Sequence, residues 1–90
     1  MPEVTFTRHL RMHFPEIEGM EVEPGTVAEI VEQLEGRYPG LAAYLLDDHG
    51  ALRKHVNIFI NDDLVEDRTR LTDQVSGSDR VFVMQALSGG

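Results

Sequence analysis

Arg80-Val81-Phe82-Val83-Met84-Gln85-Ala86, entered through Gly77-Ser78-Asp79, is apolar on both of its faces. Val81 and Val83 share one parity and Phe82 and Met84 the other, because successive side chains of a strand point to opposite sides. Such a strand belongs at the centre of a sheet. Upstream, His55-Val56-Asn57-Ile58-Phe59-Ile60 is the strongest strand signal, with Val56, Ile58 and Ile60 on one face and Asn57 and Phe59 on the other. Between the two, Asn61-Asp62-Asp63 reads as a turn and Leu64-Val65 as a short edge strand, with Leu71 to Val75 a turn or 3₁₀ segment.

Toward the amino terminus, Thr26 is placed as a helix N-cap, with Glu29 as its capping-box partner. Val27, Ile30, Val31, Leu34 and Tyr38 follow at helical spacing, and Pro39-Gly40 ends the helix. Leu41 to Leu46 reads as a short helical turn, closed by Asp47-Asp48-His49-Gly50. Val4-Thr5-Phe6-Thr7 and Met20-Glu21-Val22-Glu23 alternate, and they predict a hairpin around a loop bracketed by Phe14-Pro15-Glu16 and Gly19. The order ββαβββ predicts an α+β fold in which a mixed sheet of about five strands packs on one main helix. That is the ubiquitin-like β-grasp arrangement. The inward positions of its core are Val4, Phe6, Val27, Ile30, Val31, Leu34, Val56, Ile58, Val81 and Val83.

Ninety residues make one domain, expected over residues 1–86, with a flexible tail at 87–90. A chain this short has room for one small core and almost none for an internal active-site cavity. Sixteen acidic against eight basic residues give a net charge of −8, which argues against nucleic acid and anionic membranes and favours a basic protein groove. The lack of cysteine excludes disulfides, thiol catalysis and thiolate zinc sites. Met1-Pro2-Glu3 leads straight into the first strand and no apolar run has the length of a membrane span, so a cytoplasmic protein is expected.

Conventional catalytic motifs do not occur: no Walker A loop, G-x-G-x-x-G, H-E-x-x-H or G-x-S-x-G. His9 and His13 stand four apart, but the segment follows a strand and precedes Pro15, so both read as solvated loop residues. His49 and His55 flank a loop without a carboxylate partner. Asp47-Asp48, Asp62-Asp63 and Glu66-Asp67 fall in turns and an edge strand, where general acid–base chemistry has no cleft to work in. Arg68-Thr69-Arg70 is too short for a nucleic-acid patch. No metal site is expected.

Gly89-Gly90 stands apart, since it follows an apolar strand with no helix to cap and no turn to make. A terminal carboxylate with no neighbouring side chain can enter a narrow active site, and Leu87 to Gly90 extend about 13 Å at full stretch. The tail Val83-Met84-Gln85-Ala86-Leu87-Ser88-Gly89-Gly90, together with His55-Val56-Asn57-Ile58-Phe59-Ile60-Asn61-Asp62, resembles the MoaD/ThiS family of ubiquitin-like sulfur carriers. The likeness is nearest to carriers of cysteine or molybdopterin biosynthesis. It implies that an ATP-dependent, E1-like enzyme adenylates the terminal carboxylate and that sulfur then displaces AMP. The product would be a C-terminal thiocarboxylate used by a sulfur-accepting biosynthetic enzyme. Gly90 would carry the sulfur, with Leu87, Ser88 and Gly89 completing the activation tail. On this resemblance the chain is a carrier and not an enzyme. It binds no cofactor, and the glycyl adenylate and 1-thioglycine are transient covalent states.

Two other readings stay open: a ubiquitin-like modifier joined through Gly90 to lysines of other proteins, and a β-grasp interaction module with an inert tail. Strand parity, opposite to that of Val56-Ile58 and Val81-Val83, places Phe59, Phe82 and Met84 on the open sheet face, where an apolar patch is expected to dock the adenylating enzyme.

Overall fold

The computed structural model describes residues 1–85. In chain order, β1 is Glu3–Phe6, followed by a 3₁₀ turn at Arg8–Met12, then β2 at Met20–Glu21 and β3 at Gly25–Thr26. Helices α1 (Val27–Arg37) and α2 (Leu41–Leu45) come next, then β4 (Val56–Ile60), β5 (Asp63–Leu64), β6 (Gln74–Val75) and β7 (Arg80–Gln85). The main sheet has five strands in the order β2-β1-β7-β4-β5, and β7 is its central strand, as the apolar character of both faces predicts. β1 and β7 run parallel, with Val4 beside Val81 and Phe6 beside Val83. The other pairings of this sheet are antiparallel.

α1 covers one face of the sheet. Its capping box is complete: the Glu29 amide donates to Thr26 Oγ1 (3.2 Å) and the Thr26 amide donates to Glu29 Oε1 (2.9 Å). Val27, Ile30, Val31 and Leu34 are buried against Val4, Val56, Ile58, Val81 and Val83 in one core. The helix stops at Tyr38, whose amide donates to the Leu34 carbonyl. Gly40 then takes φ +98°, a left-handed conformation that suits glycine, and turns the chain into α2. The Glu35 carboxylate braces this corner by accepting from the Gly40 and Ala42 amides.

Several local expectations are corrected. The edge strand is Asp63–Leu64 and not Leu64-Val65, because Val65 turns inward, is buried, and donates its amide to the Ile58 carbonyl. The stretch Leu71 to Val75, expected as a turn or 3₁₀ segment, ends in β6, which pairs with β3 as a separate two-stranded sheet. The residues after β1 wind into a 3₁₀ turn where a loop is expected. Phe6 is half-buried at the core margin, its ring meeting Tyr38 edge-on with centroids 6.3 Å apart. Ile60 likewise packs at the margin. Loop and short-helix residues add to the core, among them Leu10, Ile17, Leu41, Leu45, Leu52 and Leu71.

Candidate functional site

The site is built around the carboxyl end of β7. Parallel pairing brings the end of β1 alongside it: the Thr7 amide donates to the Val83 carbonyl (3.1 Å), and the Gln85 amide donates to Thr7 Oγ1 (3.3 Å). From the other side, the Tyr44 hydroxyl on α2 donates to Gln85 Oε1 at 2.7 Å. Tyr44 is itself packed by the residues that follow the 3₁₀ turn. His13 lies at 4.7 Å between ring centroids, and Phe14 meets Tyr44 edge-on at 5.7 Å. Gln85 is thus held by elements far from it in sequence. Ala86, Leu87, Ser88, Gly89 and Gly90, the residues of the expected tail and its junction, lie outside the described residues.

The open face of the sheet bears the expected patch. Phe59 sits directly opposite Phe82 across the β4–β7 pair, Asn57 sits opposite Met84, and Thr5 flanks Phe82 on β1. Residues paired in this way share a face. Phe82 is 41% exposed, while Phe59 and Met84 are half-buried. Sequence reasoning missed Leu64, which pairs with Phe59 on β5 and is 52% exposed. Phe82, Phe59 and Leu64 therefore form an apolar row across three strands. Its signal in the sequence is faint, because it depends on which of Leu64 and Val65 faces inward.

Arg68 was also missed. Its guanidinium donates to Asn57 Oδ1 (2.9 Å) and to the Arg53 and Val56 carbonyls (2.8 Å each), bracing the start of β4 beside Gln85. This role rests on contacts across more than ten residues and leaves no local pattern.

In two of the acidic pairs one carboxylate is used on loop backbone. Asp47 accepts from the His49 and Ala51 amides, which hold its carboxyl below the usual range. Asp67 accepts from the Arg70 amide, the Thr72 hydroxyl and the Thr69 amide, and its carboxyl falls to about 2. Such groups stay ionised at neutral pH and cannot serve as general acids there. Among the described residues no polar or charged residue is buried, and no group of three or more His, Cys, Asp or Glu could hold a metal. His9 and His13 stand on and just after a 3₁₀ turn, where residues four apart do not share a face. Among the described residues no helix is long and apolar enough to cross a membrane. The arrangement is suited to presenting a chain end and an apolar face.

The model of the ThiS family matches residues 5–90. Sulfur carrier protein CysO of Mycobacterium tuberculosis is 29% identical over 83 residues, covering 90% of this chain and 89% of that protein. Small archaeal modifier protein 3 of Haloferax volcanii is 31% identical over 68 residues, covering 76% of this chain and 73% of that protein. Among solved structures, the crystal structure of the Amycolatopsis orientalis BexX/CysO complex contains a chain that superposes with a TM-score of 0.84 at 27% identity, with 100% of both chains covered.

Proposed function

This chain belongs to the ThiS family, and on that premise we propose that it carries sulfur as a thiocarboxylate on Gly90. The observation that carries the reading is the family match, which runs through Gly89-Gly90 to residue 90. A carboxylate is a poor electrophile until it becomes a mixed anhydride. A carboxylate oxygen of Gly90 attacks the α-phosphorus of ATP on an E1-like partner, and pyrophosphate leaves. Hydrosulfide, or an equivalent sulfur nucleophile from the partner system, then adds to the acyl carbon. AMP departs with the bonding pair, leaving 1-thioglycine for a sulfur-accepting enzyme of cysteine, molybdopterin or thiamin-type biosynthesis.

The partner supplies the chemistry in this scheme. The carrier supplies a chain end free of side chains, a fixed root at Gln85 and a docking face at Phe59, Phe82 and Met84, extended by Leu64.

A second reading, conjugation of Gly90 to lysines of other proteins, is favoured by the likeness to small archaeal modifier protein 3. The two share the adenylate and differ in whether sulfur or an amine takes the acyl group. For self-conjugation the side-chain acceptor is Lys54, the sole lysine. The shared step is tested by pyrophosphate release with the adenylating enzyme and ATP. The full chain should support release, while a chain lacking Gly90 and one extended beyond it should not, because near-attack geometry tolerates little displacement. Undiminished release from the shortened chain would overturn both readings.

A further inference from the structure

The net charge of −8 is not spread evenly over the molecule. At the carboxyl end of β7 the register gathers cations on both flanks of Gln85. On the β1 side, Arg8 and Arg11 are exposed on the 3₁₀ turn, whose preceding residue Thr7 bonds Gln85. On the β4 side, Val56 pairs with Gln85, and the exposed Arg53, Lys54 and His55 immediately precede it. The Arg53 guanidinium is fixed on the Ala43 carbonyl through Nε and Nη2, and Arg68 bridges the Arg53 and Val56 carbonyls. Asp47, which interacts with Arg53, offsets one of these charges.

The opposite end of the same strand is acidic. There Glu3 faces Glu21 across the β1–β2 pair, Asp62 lies in the β4–β5 turn, Asp63 opens β5, and Asp79 precedes β7. Arg80, beside Glu3, is the cation on β7 at that end.

The two ends lie about 17 Å apart along β7 at the usual strand rise. Charges are largely screened beyond about 8 Å at physiological ionic strength. A surface touching the tail end therefore meets the local cations and not the net charge. This reverses, for that end, the expectation of a basic groove.

We propose that the cationic end, formed by Arg8, Arg11, Arg53 and Lys54 around Gln85, is an interaction surface for an acidic rim on the protein that receives the chain's end. A nucleic acid fits it less well, because an extended polyanion would also run along the acidic half of the molecule. The proposal rests on the carrier reading only for what docks there, and its test asks nothing of Gly90, so either can fail alone.

The test is an amide-shift titration of the full chain with a deca-glutamate peptide at low salt, repeated with decauridylate RNA. The peptide should perturb residues 8–13 and 53–55, and added salt should reverse the effect. Lys54→Glu should weaken binding about two- to fivefold, the scale of one exposed charge pair. Arg80→Glu changes the net charge equally and should leave the affinity as it was. Arg8→Glu serves as the independent second variant and should behave like Lys54→Glu. Equal weakening by Arg80→Glu and Lys54→Glu, shifts centred on Phe82, absence of binding, or tighter binding of the RNA would each overturn the proposal.

Discussion

Asp67 organises the loop between β5 and β6 by accepting from the Thr69, Arg70 and Thr72 amides and from the Thr72 hydroxyl. These bonds lower its carboxyl from 3.8 to about 2. Because the folded value lies below the unfolded one, the stabilisation is present above about pH 4 and is lost as the pH falls through about 2. Urea unfolding of the wild type and Asp67→Asn at several pH values should show their stability difference shrinking across that window, and a constant difference would contradict it. Ile58 carries a different weight: it is 1% exposed at the centre of the core. Ile58→Ala should cost about 2–5 kcal/mol, read as a lower denaturant midpoint. An unchanged midpoint would remove Ile58 from the core.

The elements differ in how plainly the chain announces them. α1 is written locally: an apolar stripe, a Thr26–Glu29 box and a Pro39-Gly40 stop all lie within a few turns. Thr26→Ala should therefore cost about 0.5–2 kcal/mol, measured by thermal or urea unfolding, by releasing an N-terminal amide from its acceptor. No loss would mean the cap contributes nothing. β4 and β7 are legible for a similar reason, since alternation separates Ile58 and Val83 from Phe59 and Phe82 without knowledge of their neighbours. β3 and β6 are hidden. Each has two residues, too few for a period, and they exist because chain segments about fifty residues apart meet. Leu10, Leu52 and Leu71 are buried by tertiary packing of irregular segments, which no periodicity marks. The candidate site divides the same way. Parity reveals Phe59, Phe82 and Met84, whereas Tyr44 and Thr7 reach Gln85, and Arg68 reaches the start of β4 beside it, only through contacts between segments far apart in sequence.

For the whole molecule, β7 carries two unlike faces. The inward face of β7 joins the core through Val81 and Val83, and the outward face exposes Phe82 at no cost to that packing. Phe82→Ala should accordingly leave the unfolding midpoint nearly unchanged while weakening affinity for the adenylating enzyme by tenfold or more, the size of an apolar hot spot. Equal affinity at equal stability would remove the docking role. The central claim concerns Gly90 and is tested most directly by intact-mass analysis and fragmentation after incubation with the adenylating enzyme, ATP and a sulfur donor. One oxygen should be replaced by sulfur, localised to Gly90, with no label on any side chain. An unmodified Gly90 under conditions that load another ThiS-family carrier, or sulfur found elsewhere in the chain, would contradict it.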